Sequence, residues 1–533
     1  MSLELSRPSS RFGWLIGILI AAVCIAHFFF LEFWLHYKLG TFYCFRLDDV
    51  FRIWDAHSWG QTPSLLPDQN WLPLPSYLLG TILNFSPDPW MIPLRWHNFL
   101  AAATLATLGM VTLELFPERP VLALLPIALA PQIPYFERMA LSAGAEVDLW
   151  FFMLLSAWSW LLYLRKKTIG YAWLNAACFF LVSMTRYEAW LFILAFLPIQ
   201  IWSINKKEGL SWKVLALPLL AVAYVIFFIC YQEISLSSSK GILPLSWRGM
   251  RLYFRGEYPG AIRSFLEPLS LWFNFSPALT VLEISGAVYA LVKRPELRGY
   301  ILWISLSGLF LCLEAGIVGI SAAVPGRLVV IFHLLQIPLI CSLLEPLVPQ
   351  KVPVWAGLIA PVAGMFFLQA SMPRLTESDL LNHTRDGFII AKAVHEVELA
   401  EYIRPHMLVE RQLGPGPEVF DYTPMFFATF ERFIGDRKEN YNPAQLSLIT
   451  ENNPSVFSLK KGELERYLRQ HHIGWIVTCS QGSLDALKGL SSPVATSGGR
   501  TLSAYQLPEY IVERARNVIK DVERSVNHDK NGF

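Results

Sequence analysis

The sequence predicts an all-α polytopic membrane domain followed by a small soluble α/β or α+β domain. Three observations predict it. Hydrophobic residues fill 54% of the 533 positions and charged residues 16%, where a globular protein carries roughly 25% charged residues. About eleven apolar runs approach the ~20 residues that cross a hydrocarbon core. The short loops after alternate runs are basic, the pattern of loops held on the cytoplasmic side. The net charge of +2 leaves no basic stripe to neutralise phosphates, which argues against nucleic acid as a partner.

In chain order the runs are Phe12–Tyr37, Leu94–Leu115, Pro120–Tyr135, Glu146–Leu164, Tyr171–Met184, Glu188–Ser203, Trp212–Tyr231, Leu269–Val292, Gly299–Gly319, Leu328–Leu347 and Val352–Ser371. The first is too long for the apolar core of a signal peptide, and no small-residue cleavage site follows it, so it reads as a signal anchor. With Arg7 and Arg11 in the cytoplasm, the even-numbered runs exit into Arg119, Arg165-Lys166-Lys167, Lys206-Lys207, Lys293-Arg294 and Lys351. Every one of those loops is basic, as the positive-inside rule requires. The outward parts are then Lys38–Pro93, Phe136–Ala145, Thr185–Tyr187, Gln232–Pro268, Ile320–Arg327 and everything after Met372. The expectation is a multi-pass protein of the cell or inner membrane, with its N-terminus cytoplasmic.

Residues 1–371 form the membrane domain and 372–533 an extracytoplasmic domain, divided at the Met372–Asn382 linker. In the polar tail, Ala391–Pro405 and Gly462–His472 have helical spacing. Ile473–Cys479 and Arg500–Leu507 read as short strands, and Ile511–Asn527 as a charged terminal helix. The seven Cys show no metal-type spacing. Five of them (Cys24, Cys178, Cys230, Cys312, Cys341) fall within apolar runs, where Cys behaves as a small hydrophobe.

Chemistry concentrates in the first outer loop, 38–93, which opens on Cys44-Phe45-Arg46-Leu47-Asp48-Asp49-Val50-Phe51-Arg52-Ile53-Trp54-Asp55. Two adjacent carboxylates are costly at a bilayer surface and mark a functional site. At helical spacing Leu47, Val50, Phe51 and Trp54 share one face and Asp48, Arg52 and Asp55 the other, which predicts an amphipathic interfacial helix. Then come Trp71-Leu72-Pro73-Leu74-Pro75-Ser76-Tyr77-Leu78-Leu79 and Leu94-Arg95-Trp96-His97-Asn98, which opens the second run.

This order resembles the GT-C membrane glycosyltransferases, and within them the protein O-mannosyltransferase and lipid A aminoarabinose transferase group. The resemblance covers roughly the first 200 residues and extends more loosely to the tenth run. It departs from the family's pattern in having Asp48-Asp49 where Asp-Glu is common, and in a degenerate Pro-Pro-Leu-Tyr segment. It implies an integral-membrane transferase that takes a sugar from a polyprenyl-phosphate donor and passes it to a lipid, glycan or protein acceptor on the outer side. By resemblance Asp48 is the base that takes the acceptor proton, with Asp49 beside it for positioning. Asp48 alone would also serve as a helix cap, but one cap does not require two carboxylates.

In the second outer loop Glu137-Arg138 precedes Ser142-Ala143-Gly144-Ala145-Glu146-Val147-Asp148, and the family places an Arg and an acidic residue here. Glu146 and Asp148 suit acceptor binding or simply the start of a helix. Arg186, in the turn Thr185-Arg186-Tyr187-Glu188, has little water around it. It either reads phosphate oxygens or pairs with Glu188. Arg327 in Pro325-Gly326-Arg327 is a second phosphate candidate, and Arg95, at the head of the second run, and Arg138 join the substrate- or phosphate-binding candidates. Lys240, Arg248, Arg251, Arg255 and Arg263, interleaved with aromatics, favour anionic lipid or carrier. His333 reads as a core residue with a hydrogen-bonded partner. No resident cofactor and no metal site are expected, although the acidic pairs could hold a divalent cation weakly. Two other classes fit the composition: a lipid or glycan transporter, which would show pseudo-symmetric halves, and a non-catalytic envelope-assembly protein using its tail to bind.

Overall fold

The computed structural model describes residues 10–33, 47–65, 72–85, 91–133, 135–208, 212–236, 261–318, 325–349, 359, 406–409, 459–470, 472–478, 481–497 and 500–531. The chain divides into two compact units. One comprises Met1–Leu35 and Phe51–Leu375, the other His36–Val50 and Thr376–Phe533.

The first unit is helical throughout its described residues. Its helices are α1 (Ser10–Phe33), α2 (Leu47–Gln61, whose first turn clusters with the second unit), α3 (Leu74–Leu83), α4 (Met91–Leu115), α5 (Leu124–Leu129), α6 (Phe136–Ala140), α7 (Glu146–Lys166), α8 (Ile169–Ser183) and α9 (Ala189–Glu208). After them come α10 (Trp212–Leu236), α11 (Ala261–Phe275), α12 (Pro277–Lys293), α13 (Arg298–Val318) and α14 (Pro325–Leu344). Apolar chain in lipid must satisfy its backbone groups internally, which is why these runs fold as helices. Large apolar side chains such as Trp14, Ile18, Ile25 and Phe29 stay exposed on α1 while Ile16, Ile20 and Leu31 are buried. That is the pattern of an integral membrane protein, whose outer surface meets acyl chains.

Among the described residues four helices are long and apolar enough to cross a membrane, on α1, α4, α7 and α13; the bent pair α11–α12 makes a fifth if it counts as one span. The expected count of about eleven is therefore not confirmed, and two of the expected spans are not single unbroken α-helices. Pro120–Tyr135 is no continuous helix: 3-10 turns at Pro120–Ala123 and Ala130–Gln132 flank the six residues of α5. Pro126 and Pro131 each remove a backbone donor within the stretch, while Pro120 only opens it. Leu269–Val292 is not one helix either. It breaks at Ser276-Pro277, where α11 and α12 meet at 101°. The eleventh run, Val352–Ser371, lies outside the described residues.

One end of this unit gathers the loop cations. Arg165 Nη1 lies 2.7 Å from Glu114 Oε2. Arg294 pairs with Glu296 and Glu345, donates to Leu115 O at 3.3 Å and sits over the Phe116 ring. Arg119 donates to Val348 O. The candidate site occupies the other end of α4, a helix roughly 37 Å long at 1.5 Å per residue.

The second unit holds a four-stranded sheet in the order β1-β2-β4-β3, with β1 (His406–Val409), β2 (Ile473–Thr478), β3 (Ser492–Ser497) and β4 (Arg500–Ala504). β1 runs parallel to β2, and the other pairs are antiparallel. Trp475 is fully buried in β2. Helix α15 (Lys461–Gln470) lays Leu464 and Leu468 on Ile473 and Ile476. After α16 (Gln481–Ala486), the terminal helix α17 (Glu509–Asn531) buries Ile511, Val512, Ala515 and Ile519. β3 was not expected, because Pro493 interrupts it. The sheet tolerates that proline since β3 is an edge strand whose register shifts beside it. The helix expected at Ala391–Pro405 lies outside the described residues.

Candidate functional site

The site is built around Arg186, in the turn between α8 and α9. Its Nε and Nη2 donate to Glu188 at 3.1 and 3.0 Å, and its Nη1 donates to Glu146 Oε1 at 2.8 Å. The fork on Glu188 is the bidentate geometry that guanidinium prefers. Glu146 is 1% exposed, while the Arg186 and Glu188 side chains are 14% and 17% exposed. Burial disfavours the charge on Glu188. The Arg186 guanidinium and its hydrogen bonds outweigh that burial and hold the carboxyl below the ordinary range. The expected local pairing of Arg186 with Glu188 is thus present, extended by Glu146 from α7.

Helix α7 starts at Ala145 without a side-chain cap and carries Glu146 and Asp148 in its first turn, where negative charge suits the helix dipole. Positions two apart lie about 200° apart around a helix, so the two carboxylates serve opposite sides. Asp148 meets α4, its Oδ2 3.3 Å from His97 Nε2, while His97 Nδ1 lies 2.8 Å from Pro93 O. A carbonyl oxygen only accepts, so Nδ1 carries a proton. The contact with Asp148 then needs a second proton, on the ring or on the carboxyl. His97 and Asp148 are both buried. A similar pair, His27 Nε2 and Glu137 Oε1 at 2.8 Å, ties α1 to α6. Beside it Phe136 stacks on Trp150. Arg95 reaches Glu32 at 3.3 Å, and Asn98 donates to the same carboxylate.

The segment that opens α3 is fastened to this turn. Leu74 N donates to Met184 O at 3.0 Å, and Leu72 and Leu74 join Met184, Tyr187, Trp190, Tyr224 and Phe228 in one apolar cluster. Helix α2 lies against α3, with the Trp59 ring 4.9 Å from Tyr77 and Asn84 Nδ2 donating to Gly60 O.

A second polar cluster lies within the helices. His333 Nδ1 is 2.9 and 3.0 Å from the two Glu283 oxygens, and Trp272 Nε1 donates to Glu283 Oε2 at 3.2 Å. Both ionisable residues are fully buried. Glu283 is thus the partner expected for His333. Among the described residues no three His, Cys, Asp or Glu side chains gather as metal ligands would.

No family model and no curated protein matches the sequence. Solved structures do match the fold. ArnT from Cupriavidus metallidurans, bound to undecaprenyl phosphate, matches with a TM-score of 0.53 over 92% of this chain and 98% of that chain, at 14% identity. At this identity the likeness to ArnT is one of fold. The apo oligosaccharyltransferase of Archaeoglobus fulgidus matches at a TM-score of 0.43 and 11% identity, over 91% of this chain and 73% of that one. Its complex with an inhibitory peptide and a dolichol-phosphate gives 0.40 at 11% identity, over 93% and 75%.

The structure brings Glu146 and Arg186 together, turns Asp148 to the far side of α7, and sets Arg95 on Glu32. Asp48 and Asp49 belong to the first turn of α2, Arg138 to α6 and Arg327 to the first turn of α14. Their side chains lie outside the described ones. Sequence reasoning did not single out His97, His27, Glu137 or Glu283 as partners. A histidine or acid inside an apolar run was the available signal, since such groups are rarely left unpaired in lipid.

Proposed function

We propose that this chain is an integral-membrane glycosyltransferase that moves a hexose or pentose from a polyprenyl-phosphate donor to an acceptor on the outer side. What supports the reading best is the likeness in fold to ArnT, in a structure that holds undecaprenyl phosphate. The part-buried Arg186–Glu146 contact at one end of the helices adds to it. The loop cations would face the cytoplasm, with the N-terminus, and residues 372–533 would lie outside. The acceptor is a lipid, a glycan or a protein, and no resident cofactor is invoked.

In this scheme Asp48 takes the proton of the acceptor hydroxyl, whose oxygen attacks the anomeric carbon. The bond from that carbon to the phosphate oxygen breaks, and polyprenyl phosphate leaves with the electron pair. Asp49 and Glu146 orient the acceptor. Arg186 and Arg327 meet the departing phosphate. Arg95, Arg138 and Asp148 are further candidates for binding substrate or phosphate.

The test uses native membranes supplied with a panel of radiolabelled undecaprenyl-phosphate hexoses and pentoses. Wild-type protein should transfer label from one of them. The double substitution Asp48→Asn with Asp49→Asn should abolish transfer, and retained turnover would remove the mechanism.

A further inference from the structure

We propose that Gly60 and Gly80 are positioning residues for the acid pair, because a glycine-tight crossing of α2 over α3 fixes the axis of the helix whose first turn carries Asp48 and Asp49. The proposal rests on the transferase reading. A Cβ added at Gly80 would lie 2.5 Å from Ala56 O and 2.7 Å from Trp59 Cε3. One added at Gly60 would lie 2.7 Å from Asn84 Oδ1 and 2.8 Å from Gly80 O. Side chains can swing away from a new methyl group, whereas the backbone oxygens at this crossing cannot.

The strain would fall on α2. Helix α3 is pinned at its start, where Leu74 N bonds to Met184 O in the stretch that leads into Arg186, and its Leu79 and Leu83 pack with Ile92 and Trp96 of α4. To reach an ordinary 3.4 Å contact, Ala56 O must retreat by about 0.9 Å from a Gly80 methyl. Asp48 lies twelve residues before Gly60 on the same helix, roughly 18 Å along the axis. A shift or tilt at the crossing acts on the first turn through the continuous helix Leu47–Gln61. Misplacing a reacting group by ~1 Å costs about 10²-fold in rate. The Gly80 methyl meets backbone first and most closely, at 2.5 Å. The Gly60 methyl meets a side-chain end, Asn84 Oδ1 at 2.7 Å, and a backbone oxygen, Gly80 O at 2.8 Å, so removing Asn84 relieves only part of its overlap.

The experiment compares Gly80→Ala, Gly60→Ala and the control Thr81→Ala, an exposed position on α3. The full chain is used in native membranes, with whichever donor of the labelled panel is turned over. Gly80→Ala should lower kcat about 10²-fold with the donor KM unchanged. Gly60→Ala should lower it less, and adding Asn84→Ala should restore part of that loss. Thr81→Ala should match wild type. A purely structural role would reduce folded protein and leave kcat per folded molecule intact. If Gly80→Ala does not fold, the Gly60→Ala and Asn84→Ala pair decides the matter. Wild-type kcat in Gly80→Ala, or no recovery in that pair, overturns the inference while leaving the transferase reading in place. Normal turnover with Asp48→Asn and Asp49→Asn together would end the transferase reading itself, whatever the glycines do.

Discussion

Replacing Arg186 with Met asks how much the three-residue clamp contributes. The guanidinium makes three hydrogen bonds, at 2.8, 3.0 and 3.1 Å, to two carboxylates. Glu146 is almost wholly out of water and Glu188 largely so. Removing the cation leaves two like charges facing each other with nothing between them. Each opposite-charge contact at about 4 Å is worth roughly 4 kcal/mol at an effective dielectric of 20, before desolvation is set against it. Breaking a buried pair from one side usually costs ~3–5 kcal/mol, because a charge is stranded. Replacing the whole group by neutral residues costs far less for the same reason. Arg186→Met should therefore fail to give monodisperse protein after detergent extraction. Arg186→Met combined with Glu146→Gln and Glu188→Gln should recover it. The assay is fluorescence-detected gel filtration after a temperature ramp, followed by labelled-sugar transfer. The triple variant should be folded and inactive. A single Arg186→Met variant as heat-stable as wild type would refute the energetic argument, and transfer by the triple variant would remove Arg186 and Glu146 from the mechanism.

Gly286 on α12 faces the backbone of Leu339 on α14 so closely that a methyl group would overlap it. Gly286→Ala should cost about 1–3 kcal/mol by overpacking, visible as a lower unfolding temperature than Gly299→Ala, which meets nothing closer than 3.9 Å. His333→Ala strands the Glu283 carboxylate among apolar helices. It should cost ~3–5 kcal/mol, most of which Glu283→Gln on the same chain returns; an additive double variant would contradict the pairing. Glu188 has a lowered folded pKa, so its share of stability is complete above the usual carboxylate range near 4.3 and is lost only as pH falls through the lower folded value. The stability gap between wild type and Glu188→Gln should hold from about pH 8 to pH 5 and close below about pH 4; a gap that closes near pH 6 would contradict it.

The membrane class, the sheet-bearing tail and the turn at Arg186 were legible because each depends on local composition. Apolar length reports burial in lipid, and a short polar turn between two apolar helices leaves an Arg few partners. Strands β2 and β4 and helices α15 and α17 followed from periodicity alone. The breaks at Pro120–Gln132 and Ser276-Pro277 were in view as prolines. A hydropathy average, however, counts a proline-rich apolar stretch as a span, and only backbone hydrogen bonding says where a helix stops.

Partner choice was not legible. Nothing local tells Asp148 to face His97 fifty-one positions earlier, or Glu283 to meet His333, because those contacts are chosen by which helices pack together. The same holds for Gly60 and Gly80. In sequence each is a glycine within an apolar or amphipathic helix, and only the crossing of α2 over α3 gives the missing Cβ its meaning. Composition and periodicity by themselves determined that this chain lives in a membrane as helices with a polar, sheet-bearing tail, since transfer from water to lipid is summed residue by residue. Tertiary structure alone decided which buried charges neutralise one another, since Coulomb pairing depends on distances that helix packing sets and chain order does not.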